Sequence, residues 1–215
     1  MRRHLLSICL LVLLLAGCVD TTSRSHAVYM LIDTSGTYTM ELDKAQSIIN
    51  YLLGTLNPGD ALAVARIDTG SFSEKDIVAK ATFDDRPSVS NEQKRTFVKK
   101  VNDYVKQAKG SAYTDITGGI LQAIEFLNET EAGRKTILVF SDLVEDLKPG
   151  HIRDIPLQLS GIEVVALNVT KLRQDIVDPR KYLGRLDDWR GKVESGQGSW
   201  RVVNDLDRLD RILQH

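Results

Sequence analysis

The chain has 215 residues, with 28 Lys+Arg against 29 Asp+Glu, 42% hydrophobic residues and two cysteines. The two signs of charge are interspersed and the formal balance is −1, which excludes a disordered charged tail and a protein that neutralises nucleic-acid phosphates. Both cysteines lie within the first 18 residues, so a disulfide-stapled scaffold is excluded as well.

The N-terminus reads MRRHLLSICLLVLLLAGC. Arg2 and Arg3 precede an apolar run from Leu5 to Ala16. A helix of that length rises about 18 Å, too short for a hydrocarbon core of about 30 Å, so the run reads as a secretory leader and not a membrane span. It ends in Leu15-Ala16-Gly17-Cys18, which resembles the lipobox of bacterial lipoprotein signals. The resemblance implies cleavage after Gly17 and lipidation of Cys18, with the leader at 1–17, a lipid-anchored tether at 18–26 and one domain at 27–215. Removing Arg2 and Arg3 takes the balance from −1 to −3, and no free thiol then remains. Val19, not Asp, follows the lipidated Cys. In similar Gram-negative lipoproteins this implies the outer membrane, so the expected location is the cell envelope, on the periplasmic face.

Along the mature chain, Ala27–Ile32 is a continuous apolar run closed by Asp33 and reads as a buried strand. Leu42, Ala45, Ile49, Leu52 and Leu56 predict a helix. Ala61–Ile67 and Ile77–Phe83 predict strands. The eight residues Thr69–Asp76 between them are too few for a parallel crossover, so the second of the pair is expected to be antiparallel, at the sheet edge. Ser90-Asn-Glu-Gln93 fits a capping box opening a helix to about Lys109. A helix at Thr117–Asn128, strands at Thr136–Phe140 and Ile162–Asn168, an amphipathic helix at Pro179–Val193, a strand at Ser199–Val203 and a helix at Asp205–Leu213 complete the pattern.

Strands alternating with helices predict a three-layer, doubly wound α/β fold with a mainly parallel six-stranded sheet and helices on both faces. Right-handed crossovers favour the order 3-2-1-4-5-6, with ligands at the switch point beyond the first and fourth strands. After the first strand stand Asp33-Thr34-Ser35-Gly36-Thr37. After the fourth stand Ser141-Asp142, and the loop opening the 117–128 helix carries Thr114 and Asp115. Two carboxylates and three hydroxyls suit a hard cation such as Mg²⁺, Mn²⁺ or Ca²⁺.

These residues resemble the metal-ion-dependent adhesion site of the von Willebrand factor A domain family, an Asp-x-Ser-x-Ser run joined by a loop Thr and a later Asp. Asp33, Ser35 and Thr37 match the run, with Thr in place of the last Ser. Thr114 matches the loop Thr and Asp142 the final Asp. The resemblance covers about residues 27–213. The family commonly has Thr-Asp-Gly where this chain has Ser141-Asp142-Leu143, and Asp115, Glu145 and Asp146 add acid near the mouth. It implies a metal centre of Asp33, Ser35, Thr37, Thr114 and Asp142 holding Mg²⁺ (or Mn²⁺/Ca²⁺), to which a partner protein offers a carboxylate. The expected function is a lipid-anchored binding or adaptor protein, not an enzyme, with no nucleic-acid partner.

Two other readings follow from the same residues: a metal-dependent phosphohydrolase using Asp33, and a metal-free adaptor of the same fold. A phosphatase of the haloacid-dehalogenase type needs a second Asp where Ser35 stands. Ser35 likewise interrupts an aspartic-protease Asp-Thr-Gly loop. The basic residues of Lys94–Lys100 and Lys171–Lys192 read as solvated surface.

Overall fold

The computed structural model describes residues 23–36, 38–207 and 209–213. The leader, Cys18 and Thr37 lie outside the described residues. The strands are β1 (His26–Asp33), β2 (Ala61–Ile67), β3 (Ile77–Thr82), β4 (Arg134–Phe140), β5 (Ile162–Leu167) and β6 (Ser199–Val203). The helices are α1 (Leu42–Thr55), α2 (Pro87–Gln107), α3 (Ile116–Glu129), α4 (Arg173–Val177) and α5 (Pro179–Ser195). The sheet order is β3-β2-β1-β4-β5-β6. Only β3 pairs antiparallel, on the outer edge of β2, and the other pairings are parallel. The expected α/β architecture is therefore the observed one.

β1 is central and buried along its whole length. Its side chains alternate between two cores, as the period of a strand requires. Ala27, Tyr29 and Leu31 meet Ile116, Ile120, Ala123 and Leu127 of α3, with Trp189 and Val193 of α5 in the same cluster. Val28, Met30 and Ile32 meet Leu42, Ala45, Ile48, Ile49 and Leu52 of α1, and Phe97 and Val101 of α2. Truncating one such fully buried Leu or Ile to Ala costs about 2–5 kcal/mol. Close packing of α3 on β1 depends on Gly119, where an added Cβ would come within 2.9 Å of Leu31 Cδ2. Among the described residues no helix is long and apolar enough to cross a membrane.

Three local expectations are corrected. Ser90 does not cap α2: the helix starts at Pro87, whose fixed φ suits a first helical turn, and Ser90 N–H already donates to Arg86 O at 3.0 Å. Gln93 is used differently, its Oε1 accepting from Asp84 N–H at 2.8 Å. Among the described residues of the segment Asp205–Leu213, helical structure is a single 3-10 turn at Leu209–Ile212. There Asp205 accepts from Asp207 N–H, a local turn that competes with helix, and Arg201 ties down Ile212 O at 2.9 Å. Lastly, β1 begins at His26, one residue early. Its N–H donates to Asp60 Oδ1 at 2.7 Å and its Nε2 meets Thr136 Oγ1 at 2.9 Å.

Candidate functional site

Because β1 and β4 are neighbours whose chains leave toward opposite sides of the sheet, their carboxyl ends open a crevice. Asp33 ends β1 and Asp142 stands two residues beyond β4. Asp33 is fully buried. Its Oδ1 accepts from Ser35 N–H at 2.7 Å, and its Oδ2 from Ser141 Oγ at 2.6 Å. Burial outweighs these donors and pushes its carboxyl above the usual range. Asp142 is also buried, with Oδ1 accepting from Val144 N–H at 2.9 Å. Burial again raises it, and the charge of Asp33 adds to the rise despite the Val144 donor. Each carboxyl thus sits where its ionised form lacks water, and the charge of Asp33 opposes ionisation of Asp142.

Two more loops close on this pair. Ser111 N–H donates to Thr34 O at 2.7 Å. Thr114 and Asp146 exchange backbone bonds at 2.7 and 2.9 Å. The loop before α3 is therefore stitched to both the β1 and the β4 loops, and Thr114 is buried at the seam. Of the five expected metal ligands, Asp33 and Asp142 are thus coupled in one crevice, Ser35 lies on the Asp33 loop and Thr114 on the adjoining one. Thr37 is outside the described residues.

The added acids do not enlarge the site. Asp115 caps α3, accepting from Gly118 N–H at 2.8 Å and Ser71 N–H at 3.0 Å, and pairs with Arg153 at 2.6 Å. Glu145 accepts from Thr117 N–H at 2.7 Å and pairs with Lys192 at 3.2 Å. Asp146 is held through its backbone. Among the described residues no group of three His, Cys, Asp or Glu side chains forms a metal cluster. The crevice offers two carboxylates and neutral hydroxyls, a donor set that fits a hard divalent cation and not a soft one.

Leu143, where the sequence resemblance leads one to expect glycine, has a left-handed backbone, with φ at +65°. Its N–H donates to Ser141 Oγ at 2.9 Å and its carbonyl accepts from Trp189 Nε1 at 3.0 Å. A left-handed leucine costs about 1 kcal/mol, and burial of its side chain in the α3–α5 core offsets this.

Sequence reasoning missed two contributors. Ser141, noted only beside Asp142, is the hydroxyl that bonds Asp33. Tyr38 flanks the crevice, packed edge-on against Phe140 with centroids 5.2 Å apart. It donates to Asn168 O at 2.6 Å and accepts from Asn168 Nδ2 at 3.1 Å. Burial pushes its hydroxyl well above the phenol range, and Asp33 and Asp142 raise it further although Asn168 lowers it. Nothing in the spacing marks Tyr38, because its partner Asn168 follows a different strand.

No protein-family model matches this sequence, and no curated protein is similar to it. Among solved structures, the fold is similar to a von Willebrand factor type A protein from Catenulispora acidiphila (TM-score 0.55, 13% identity, 88% of this chain and 41% of that one). It is also similar to the pilus adhesin SpaC from Lactobacillus rhamnosus GG in its open conformation (TM-score 0.53, 9% identity, 90% of this chain and 29% of that one). The chain thus spans less than half the length of either. At these identities the likeness defines the fold, which is that of a von Willebrand A-type α/β domain.

Proposed function

We propose that this protein is a lipid-anchored binding module in which Asp33, Ser35, Thr37, Thr114 and Asp142 hold a divalent cation, Mg²⁺ or its relatives. An acidic group on a partner protein completes the cation's coordination. The observation that carries the reading is the pair Asp33 and Asp142: both buried, both raised, and neither in an ion pair among the described residues. Two desolvated carboxylates served only by neutral donors are costly, and a bound cation would offset that cost. Its own charge would then dominate the local field and attract an anion from outside.

Binding and not catalysis is the role assigned to Asp33. It has no exposed surface and both its oxygens already accept hydrogen bonds, which argues against a nucleophile of phosphoryl transfer. The envelope location rests on the leader and on Cys18, both read from sequence.

Titrating the full-length protein with Mg²⁺ and Mn²⁺ by calorimetry tests the metal reading. Saturable 1:1 binding, lost in Asp33→Ala and Asp142→Ala, is expected. No heat, or binding unchanged in both variants, sinks the reading. Incorporation of labelled fatty acid, lost in Cys18→Ser, tests the anchor separately.

A further inference from the structure

Parallel neighbours in a sheet are normally joined through a helix that covers the sheet. Here α1 joins β1 to β2, and α4 and α5 join β5 to β6. The segment 141–161 between β4 and β5 is described throughout and contains no helix. It crosses as an extended strap, with Leu157 and Leu159 buried on the sheet in the position a helix would cover. The strap is anchored by Arg153 on Asp115 and by Leu159 N–H to Gly196 O at 2.8 Å. A strap is thinner than a helix, and it leaves a groove of about 480 Å³ against α3.

The groove is apolar because α3 carries more than one stripe. Ile116, Ile120, Ala123 and Leu127 face the sheet. Leu121 and Glu125, one residue round, line the groove together with the edge of the buried core residue Ile124, with Phe72 and Ile155 on its other sides. Phe72 is 49% and Ile155 50% exposed. Exposure of large apolar side chains around a concave surface marks a contact site. Glu125 and Glu129 are exposed on its rim, and no Lys or Arg lines it.

We infer that this groove receives an amphipathic helix from a partner protein, seated between α3 and the strap that crosses in place of a helix. Apolar residues of that helix at i, i+3, i+4 and i+7 fill the space between Phe72, Leu121 and Ile155. Its flank is basic, complementary to Glu125 and Glu129. The groove shares no residue with the Asp33–Asp142 crevice, so this contact does not depend on a metal ion.

Full-length protein carrying photoreactive benzoylphenylalanine at Phe72, and separately at Ile155, tests the inference in the cells that express it. The crosslinked segment is then sequenced by mass spectrometry. The expected product from both positions is one partner segment with helical apolar periodicity and net positive charge. Its yield is unchanged by chelator and falls at least tenfold in Glu125→Lys/Glu129→Lys, two surface changes whose melting curve matches the parent. An absent crosslink overturns the inference. So does a crosslink to a second copy, to lipid, or to a segment without that periodicity and charge. A yield that survives the charge reversal, or that is lost with chelator, overturns it as well.

Discussion

At the carboxyl end of the sheet, four of the buried carboxylates are served in two different ways. Asp115 and Asp175 each receive an arginine: Arg153 lies 2.6 Å from Asp115 and Arg185 lies 2.8 Å from Asp175. Arg185 holds Asp175 below the ordinary carboxylate range. Asp33 and Asp142 receive only backbone N–H groups and a serine hydroxyl, and burial holds both above that range. Where a buried carboxylate fastens loop to helix, the fold supplies its own cation. In the crevice the direct donors are neutral and the Arg185 charge reaches Asp142 only from beyond pairing distance, the imbalance on which the proposed cation rests.

Removing a built-in cation gives the largest expected effect. Arg153→Met leaves Asp115 buried without its counter-charge and lowers stability by about 3 kcal/mol, read from urea denaturation. A loss under about 1 kcal/mol would show that the Gly118 and Ser71 N–H groups suffice and would erase the contrast. The crevice behaves oppositely. Asp142→Asn removes one of two mutually repelling buried charges, so in chelator the variant gains about 1 kcal/mol over the parent. Added Mg²⁺ raises the melting temperature of the parent and leaves the variant unmoved. A variant less stable than the parent in chelator would mean that Asp142 is already compensated within the fold.

Leu143 sharpens the comparison on the backbone side. Leu143→Ala and Leu143→Gly both forfeit the buried side chain, but only glycine relieves the +65° φ. The glycine variant is therefore expected to be about 1 kcal/mol more stable than the alanine variant, the reverse of the usual order, by thermal or chemical denaturation. The smallest effect belongs to an exposed pair. Arg86 holds the Asp84 carboxyl down at about 2. A carboxylate depressed on folding adds stability above its unfolded pKa and loses it as pH falls from about 4 toward 2. Arg86→Gln should return the Asp84 midpoint in NMR titration toward 3.8 and lower the neutral-pH melting temperature only slightly, because solvent screens the pair.

Much of this was legible in the linear pattern. The strands 61–67 and 199–203 fall where the apolar residues place them. The antiparallel β3 follows from a loop too short to cross over. The positions of Asp33 and Asp142 beyond adjacent strands follow from the alternation of elements and the handedness of their connections. Helix termini were less legible. Ser90 and Gln93 match a capping box, but Pro87 three residues earlier starts the helix. The pattern Asp205–Leu213 has helical spacing, yet a local Asp205 turn and the Arg201 contact fold most of it otherwise.

The sequence by itself determined the sheet, its order and the two strand ends where the carboxylates gather, because burial periodicity and chain connectivity are properties of the chain read in order. Only the tertiary structure decided which acids remain uncompensated. Asp115 and Asp142 look alike in the sequence, both beside a crevice loop. They differ because Arg153, on the strap 38 residues from Asp115, forms an ion pair with the first, whereas the second feels Arg185 only at a distance, that arginine being paired with Asp175. A charge balance between side chains so far apart along the chain depends on three-dimensional distance and shared burial, which residue spacing does not encode.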